Sequence, residues 1–216
     1  MVFIRRLLPL AVLVGILGAA APVSAQSIID EWASVKVPPP PELKPVTIDP
    51  KTTALLMLDV LKQNCGSSPR CVALLPNLQK LLAAARANNM LVVYTKYPSP
   101  SPSYPAPTVA DILPSVAPRG NEPVITAILD KFDGTDLDKI LKDHGIKSVI
   151  IVGNASNGAV MYTGTTAFFR GYQPIIPVDG MSSRDPYVDQ FVVFNFSSAP
   201  VMAGHVVLTR TDMIKF

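Results

Sequence analysis

Short runs of continuous apolar residues alternate along this chain with longer stretches in which apolar residues recur every three or four positions. Thr53 to Leu58 (T-A-L-L-M-L), Met90 to Thr95, Val149 to Val152, Pro174 to Val178 and His205 to Thr209 read as strands. Their unbroken apolar character fits strands covered on both faces. Between them, Leu74 to Asn88 places Leu75, Leu78, Leu82 and Ala85 at helical spacing, with Asn88-Asn89 as the stop. Thr135 to Asp143 is predicted as a second helix, with Thr135 as N-cap, Asp138 as its acidic N3 partner and His144-Gly145 as its end. Asn157 to Arg170 is a third, closed by Gly171, and Tyr187 to Asn195 a fourth. Strand–helix alternation of this kind predicts an α/β fold, three layers deep, Rossmann-like, with a mostly parallel open sheet.

Two stretches carry neither period. Val37 to Pro50 contains P-P-P-P and two further prolines and reads as an extended tether. Pro98 to Pro118 holds seven prolines and follows a strand. Such a loop either covers the carboxyl edge of the sheet or is an insertion without a role.

The amino-terminal end adds a compartment. Arg5 and Arg6 precede the apolar run Leu7 to Gly18, and Val23-Ser24-Ala25 offers small residues at the −3 and −1 positions of a signal-peptidase site. The expected organisation is a signal peptide over 1–25, a Pro-rich tether over 26–51 and one folded domain over 52–216. The alternative for the leader is an uncleaved anchor. Removing 25 of 216 residues leaves 191, enough for one well-buried domain. It also takes away Arg5 and Arg6, so a net charge of +3 falls to +1. No basic stripe remains, which argues against nucleic-acid binding. A periplasmic or secreted protein is expected, with no membrane association after cleavage.

Cys65 and Cys71 lie six apart in N-C-G-S-S-P-R-C. An oxidising compartment favours a disulfide closing that short loop. A reactive thiol and a metal pair are the alternatives, the latter without a histidine near in sequence. No metal and no cofactor are expected.

The chemistry concentrates at V-I-I-V-G-N-A-S-N-G-A-V, Val149 to Val160. A strand ends at Gly153 and a helix begins, so backbone amides face the carboxyl edge of the sheet, a ready site for an anionic or polarised group. Asn154, Ser156, Asn157, Gly158 and Ala159 line that turn as candidate substrate contacts. Asp59, directly after the first apolar run, reaches the same edge, and partial burial there suits a carboxyl to general-acid work. Lys131 is read two ways, as the partner of Asp59 or as a solvated lysine between Asp130 and Asp133. His144 and His205 read as element-terminal residues without the context of a Ser-His-Asp triad.

This order of segments resembles the isochorismatase-like (cysteine hydrolase) superfamily. T-A-L-L-M-L-D matches the family's first strand and its catalytic Asp, here Asp59. F-D-G-T-D-L (Phe132 to Leu137), H-G-I-K-S-V-I-I-V-G and G-Y-Q-P-I-I-P-V-D-G, ending near Asp179, match later family segments; the resemblance spans roughly Thr52 to Asp189. It implies a non-proline cis peptide near Asn154–Ala155. It also exposes departures. The family turn reads approximately G-V-A-T-N-x-C-V, so Ala159 stands at the position of the nucleophilic Cys. The family Lys falls in register on Thr126, with Lys131 the nearest lysine. The Gln that often follows the first Asp is absent, and Thr95-Lys96-Tyr97 stands where nicotinamidases carry D-x-H.

An alanine methyl forms no acyl intermediate, so Cys-dependent amidase chemistry is rejected. Three readings follow. The chain is a hydrolase whose Asp59 protonates the substrate so that water adds, as the resemblance to isochorismatases lacking the Cys implies. Alternatively it is a pseudoenzyme that binds a small ligand in the inherited pocket. The third is an interaction protein using the Pro-rich tether and loop. The first two imply a small-molecule partner, and the resemblance adds a possible homo-oligomer.

Overall fold

The computed structural model describes residues 27–216, so the predicted signal peptide lies outside the described residues. The chain forms two compact units, one ending at Val37 and one from Pro38 to Phe216. The first carries a single helical turn, α1 (Ile28–Glu31). Asp30 closes its start by accepting from the Ser27 amide and hydroxyl at 2.9 and 2.8 Å.

In the second unit the order is β1 (Val46–Thr47), β2 (Thr53–Leu58), α2 (Pro69–Val72), α3 (Leu75–Ala87), β3 (Leu91–Lys96), β4 (Val124–Thr126), α4 (Leu137–Asp143) and β5 (Ser148–Asn154). There follow a π-helical turn (Ser156–Val160), α5 (Met161–Phe169), β6 (Gln173–Pro177), β7 (Met181–Ser182), α6 (Pro186–Ser198), β8 (Val207–Thr209) and β9 (Ile214–Lys215). The main sheet runs β4-β3-β2-β5-β6-β8, every pair parallel, with β7 pairing in parallel beside Gly153 and Asn154 at the end of β5. Every residue of β2 is buried because both faces of the sheet are covered. On one face, Leu137 and Leu141 of α4, Ala167 of α5, and Val192 and Phe196 of α6 pack against Leu56, Leu58, Val149 and Ile151. On the other, Leu78, Leu81, Leu82 and Ala85 of α3 meet Leu55, Met57, Ile150 and Val152. This is the expected three-layer α/β/α fold.

Strand order fixes where a ligand would go. From β2 the chain moves outward to β3 and β4, then returns to the opposite side of β2 as β5. The loops after β2 and β5 therefore leave the sheet in opposite directions, which marks the carboxyl-edge crevice position at which open α/β sheets bind ligands. There Leu58 pairs with Gly153 so closely that a Cβ on Gly153 would stand 2.0 Å from the Leu58 carbonyl oxygen. Glycine is the residue that allows this approach, and its φ of +129° suits no other.

Several boundaries differ from the sequence reading. The predicted helix Asn157–Arg170 is two pieces, because the amide of Val160 reaches back five residues to the Ala155 carbonyl and widens the first turn. Apolar spacing reports the buried face but not this hydrogen-bond register. The helix predicted from Thr135 begins at Leu137, with Asp136 at the N-cap. Thr135 instead donates to the Lys131 carbonyl at 2.6 Å and accepts from the Leu137 amide at 3.2 Å, and Asp138 bonds Lys142 and Tyr172. The last part of the predicted tether forms β1, paired in parallel with β9, and Ile48 beyond it is buried. Strand His205–Thr209 shortens to Val207–Thr209 and is not the last. The pattern also passed over β4, an edge strand of three residues without a continuous apolar run. Within the Pro-rich segment, Ile112 bridges to Leu61 and is buried, so that part of the loop lies on the chain just after β2.

Candidate functional site

Asp59 leaves the end of β2 with φ +50°, a left-handed conformation that non-glycine residues adopt at some energetic cost and that concentrates at functional turns. Three neighbours hold it there. The Asp59 amide donates to Thr95 Oγ1 at 3.1 Å, and the Thr95 hydroxyl donates to Asp59 Oδ1 at 2.6 Å. Asn64 Nδ2 donates to the Asp59 carbonyl at 2.9 Å. Lys131 Nζ donates to Asp59 Oδ2 at 2.7 Å.

Lys131 is fully buried, and all three ammonium protons have acceptors: Asp59, and the carbonyls of Ala127 at 2.9 Å and Ile128 at 3.0 Å. Its own amide donates to Thr163 on α5 at 3.1 Å. Thr126, where the family register places the lysine, is instead an exposed residue at the end of β4, opposite Lys96. Beyond it the 127–131 segment folds so that Lys131 turns inward to Asp59. Burial pushes the Asp59 carboxyl above the ordinary carboxylate range, against the opposing pull of the Lys131 charge and its hydrogen bond. Burial likewise holds the Lys131 ammonium below its ordinary value, with Asp59 pulling the other way. Both shifts favour moving a proton within the pair at lower cost than in water.

Across the crevice, β5 ends in the cis peptide Asn154–Ala155. Asn154 Nδ2 donates to the Ser182 carbonyl at 3.1 Å, and Ser156, fully buried, donates to Asp189 Oδ1 at 2.6 Å. These two side chains hold the turn. Asn157 is exposed, Gly158 half-buried and Ala159 buried. A Cβ on Gly158 would meet Leu129 Cδ2 at 3.3 Å, so the segment leading to Lys131 lies against the turn. Both cysteines are buried and joined, Cys65 to Cys71, and no free thiol exists among the described residues. His144 caps α4, its Nδ1 2.8 Å from the Ile140 carbonyl, and His205 lies beside Phe168.

Thr95, Asn64, Asp189 and Arg70, which pairs with Asp189 from α2, are site residues that the sequence reading does not name. Thr95 had a usable signal, as the last residue of a predicted strand at the carboxyl edge. The other three sit in segments whose spatial neighbours no local pattern reveals. Together, a buried carboxyl whose pKa is raised by burial, a buried ammonium and the 154–160 turn lie at one edge of the sheet, and Ala159 in that turn offers no side chain that attacks carbon.

Among characterised proteins, the chain is 29% identical over 153 residues to N-carbamoylsarcosine amidase of an Arthrobacter species, covering 61% of this chain and 58% of that one. It is 31% identical over 119 residues to a secreted isochorismatase effector of Verticillium dahliae, covering 53% of this chain and 63% of that one. The chain thus spans less than two thirds of the length of either relative. An isochorismatase-like hydrolase from Alkaliphilus metalliredigens has the same fold, with a TM-score of 0.66 at 22% identity over 74% of this chain and 95% of that one. A cysteine hydrolase from Pseudomonas syringae gives 0.67 at 19%, over 80% and 94%. The sequence profile of the isochorismatase domain matches residues 53–210, from the start of β2 to just past β8, and therefore takes in Asp59, Lys131 and the 154–160 turn. On that match, which covers most of the chain, this protein belongs to the isochorismatase family.

Proposed function

We propose that this protein is an exported hydrolase of a small molecule in which Asp59 transfers the proton and water, not a thiolate, attacks. The observation that carries the reading is the buried Asp59–Lys131–Thr95 cluster at the β2/β5 crevice, opposite a turn whose Ala159 has no nucleophilic atom. The substrate class that suits it is an acid-labile vinyl ether. The Asp59 carboxyl gives its proton to the vinyl carbon remote from oxygen, leaving an oxocarbenium ion. Water adds at the cationic carbon and returns a proton to the Asp59 carboxylate. The resulting hemiketal breaks its C–O bond to give a carbonyl compound and an alcohol. Lys131 stabilises the carboxylate in the interval, and Thr95 fixes the rotation of its plane. Export is supported by the leader-like first 25 residues and by the disulfide.

A second reading, a ligand-binding domain without turnover, is favoured by one observation. Both Asp59 carboxylate oxygens already have internal partners. A hydrolysis screen of vinyl ethers, esters and amides with the mature protein, Asp59→Asn and Ala159→Cys separates the two. The hydrolase reading expects turnover of a vinyl ether by the natural protein and a loss of about 100-fold or more in Asp59→Asn. Ligand binding without turnover by any of the three proteins overturns it in favour of the second reading.

A further inference from the structure

The Cys65–Cys71 loop touches both sides of the crevice. At its start, Asn64 donates to the Asp59 carbonyl and, through Oδ1, accepts from the Leu61 amide at 3.2 Å and the Cys65 amide at 2.7 Å. At its end, Arg70 lies on α2 directly before Cys71. The Arg70 guanidinium pairs with Asp189 Oδ2 on α6, whose other oxygen accepts from the buried Ser156 hydroxyl. Arg70 Nε also donates to the Ser183 carbonyl at 3.3 Å, next to the Ser182 carbonyl that holds Asn154. The seven-residue ring and the Asn64 directly before it are thereby tied to the backbone of the acid and to the start of the turn opposite it, at Asn154 and Ser156.

We infer that this disulfide-closed loop is a bracket that sets the spacing of the crevice, with Arg70 as the positioning residue for the 154–160 turn and Asn64 for Asp59. The disulfide fixes where Arg70 and Asn64 stand relative to each other. Asp189 transmits the position of Arg70 to Ser156, and Ser183 transmits it to the strand edge that grips Asn154. Arg70 is partly exposed, so its pairing with Asp189 is weakened by solvent, but the carboxylate it meets is mostly buried and already committed to Ser156. The arginine fork makes two bonds at once, to Asp189 and Ser183, which a lysine point charge reproduces only in part. This inference rests on the hydrolase reading in its kinetic arm alone.

Backbone hydrogen exchange of the full chain tests it directly. Arg70→Ala is expected to raise exchange over residues 154–160 by about fivefold to tenfold, while the 59–62 segment and the core of β3 are unchanged. Arg70→Lys recovers part of the protection. Cys65→Ala/Cys71→Ala raises exchange at both 59–62 and 154–160. Lys139→Ala, which breaks an exposed pair within α4, raises neither. In the kinetic arm, Arg70→Ala lowers kcat on a turned-over substrate with the acid limb of the pH profile unmoved, because Asp59 keeps its own partners. Unchanged exchange at 154–160 in Arg70→Ala overturns the bracket whether or not a substrate is found. A lack of turnover with raised exchange counts against the hydrolase reading and leaves the bracket supported.

Discussion

Replacing Lys131 by Met keeps the unbranched apolar stem of the side chain and removes its charged end. The change strips three hydrogen bonds from a fully buried position and leaves Asp59 Oδ2 without its cation. Breaking a buried ion pair from one side costs about 3–5 kcal/mol, because the remaining charge stays desolvated. With an m-value of about 2.5 kcal/mol/M in urea, the unfolding midpoint falls by about 1–2 M. The deficit has a pH signature. Burial already holds the Asp59 carboxyl above the ordinary range, and loss of the Lys131 charge raises it further. A carboxyl whose folded pKa lies above its unfolded value stabilises the fold below the unfolded value, and that stability is lost as pH rises through the folded pKa. The Lys131→Met deficit is therefore larger at pH 7.5 than at pH 4.5. Adding Asp59→Asn removes the stranded charge and recovers part of the loss at pH 7.5. Urea titrations of natural, single and double variants at the two pH values decide the matter. A single-variant cost below about 1 kcal/mol, or one equal at both pH values, refutes the view that the pair is a buried, mutually dependent charge site.

Three further outcomes follow from the same contacts. Gly153→Ala forces a Cβ to 2.0 Å from the Leu58 carbonyl at a positive φ, so a loss above about 4 kcal/mol and little soluble protein are expected, as read by expression yield and circular dichroism. Arg86→Ala removes a bidentate pair with Glu122 and bonds to Tyr94 and the Ala117 carbonyl, lowering stability by about 2 kcal/mol and Tm by about 4–8 °C in calorimetry. Against the push of burial, Arg86 holds the Glu122 carboxyl below the usual range, so this contribution is present above the unfolded carboxyl pKa, is lost as pH falls, and the gap to the natural protein narrows in acid. Opening the Cys65–Cys71 ring by Cys65→Ala/Cys71→Ala costs about 2 kcal/mol by loop entropy, seen as a lower urea midpoint without added reductant.

The layers of this fold were legible because continuous apolar strands and helical spacing are set by burial on two faces, and burial is written residue by residue. The strands β2, β3, β5 and β6 and the helices α3 and α6 follow from that alone. What lay beyond the sequence depends on partners distant along the chain. Strand β4 exists because Tyr94 to Lys96 offer it a ladder, and β1 because β9 returns beside it. The wide turn at Ser156–Val160 is a matter of which carbonyl an amide reaches, and apolar spacing is nearly the same for either choice. Asp59 was legible because an acidic residue ending a buried strand has few other places to go. Asp189 and Arg70 were not, since each gains its position only when α2 and α6 meet at the crevice.

A lysine and a cysteine serve a site in different senses. A charge acts through the place where its atom arrives, so a lysine serves if the backbone turns it inward, and Lys131 Nζ arrives 2.7 Å from Asp59. A thiolate must both arrive and be a free sulfur. The sequence has two cysteines, both consumed in the bond that closes the 65–71 loop, and the residue in the turn is Ala159. The site therefore has a buried ammonium beside its carboxylate, and no free thiol exists among the described residues. On the proposed hydrolase reading water attacks the substrate, and the rate is then expected to follow the protonation of Asp59 rather than the ionisation of a thiol. A pH profile that tracks a thiol in the natural protein would contradict this.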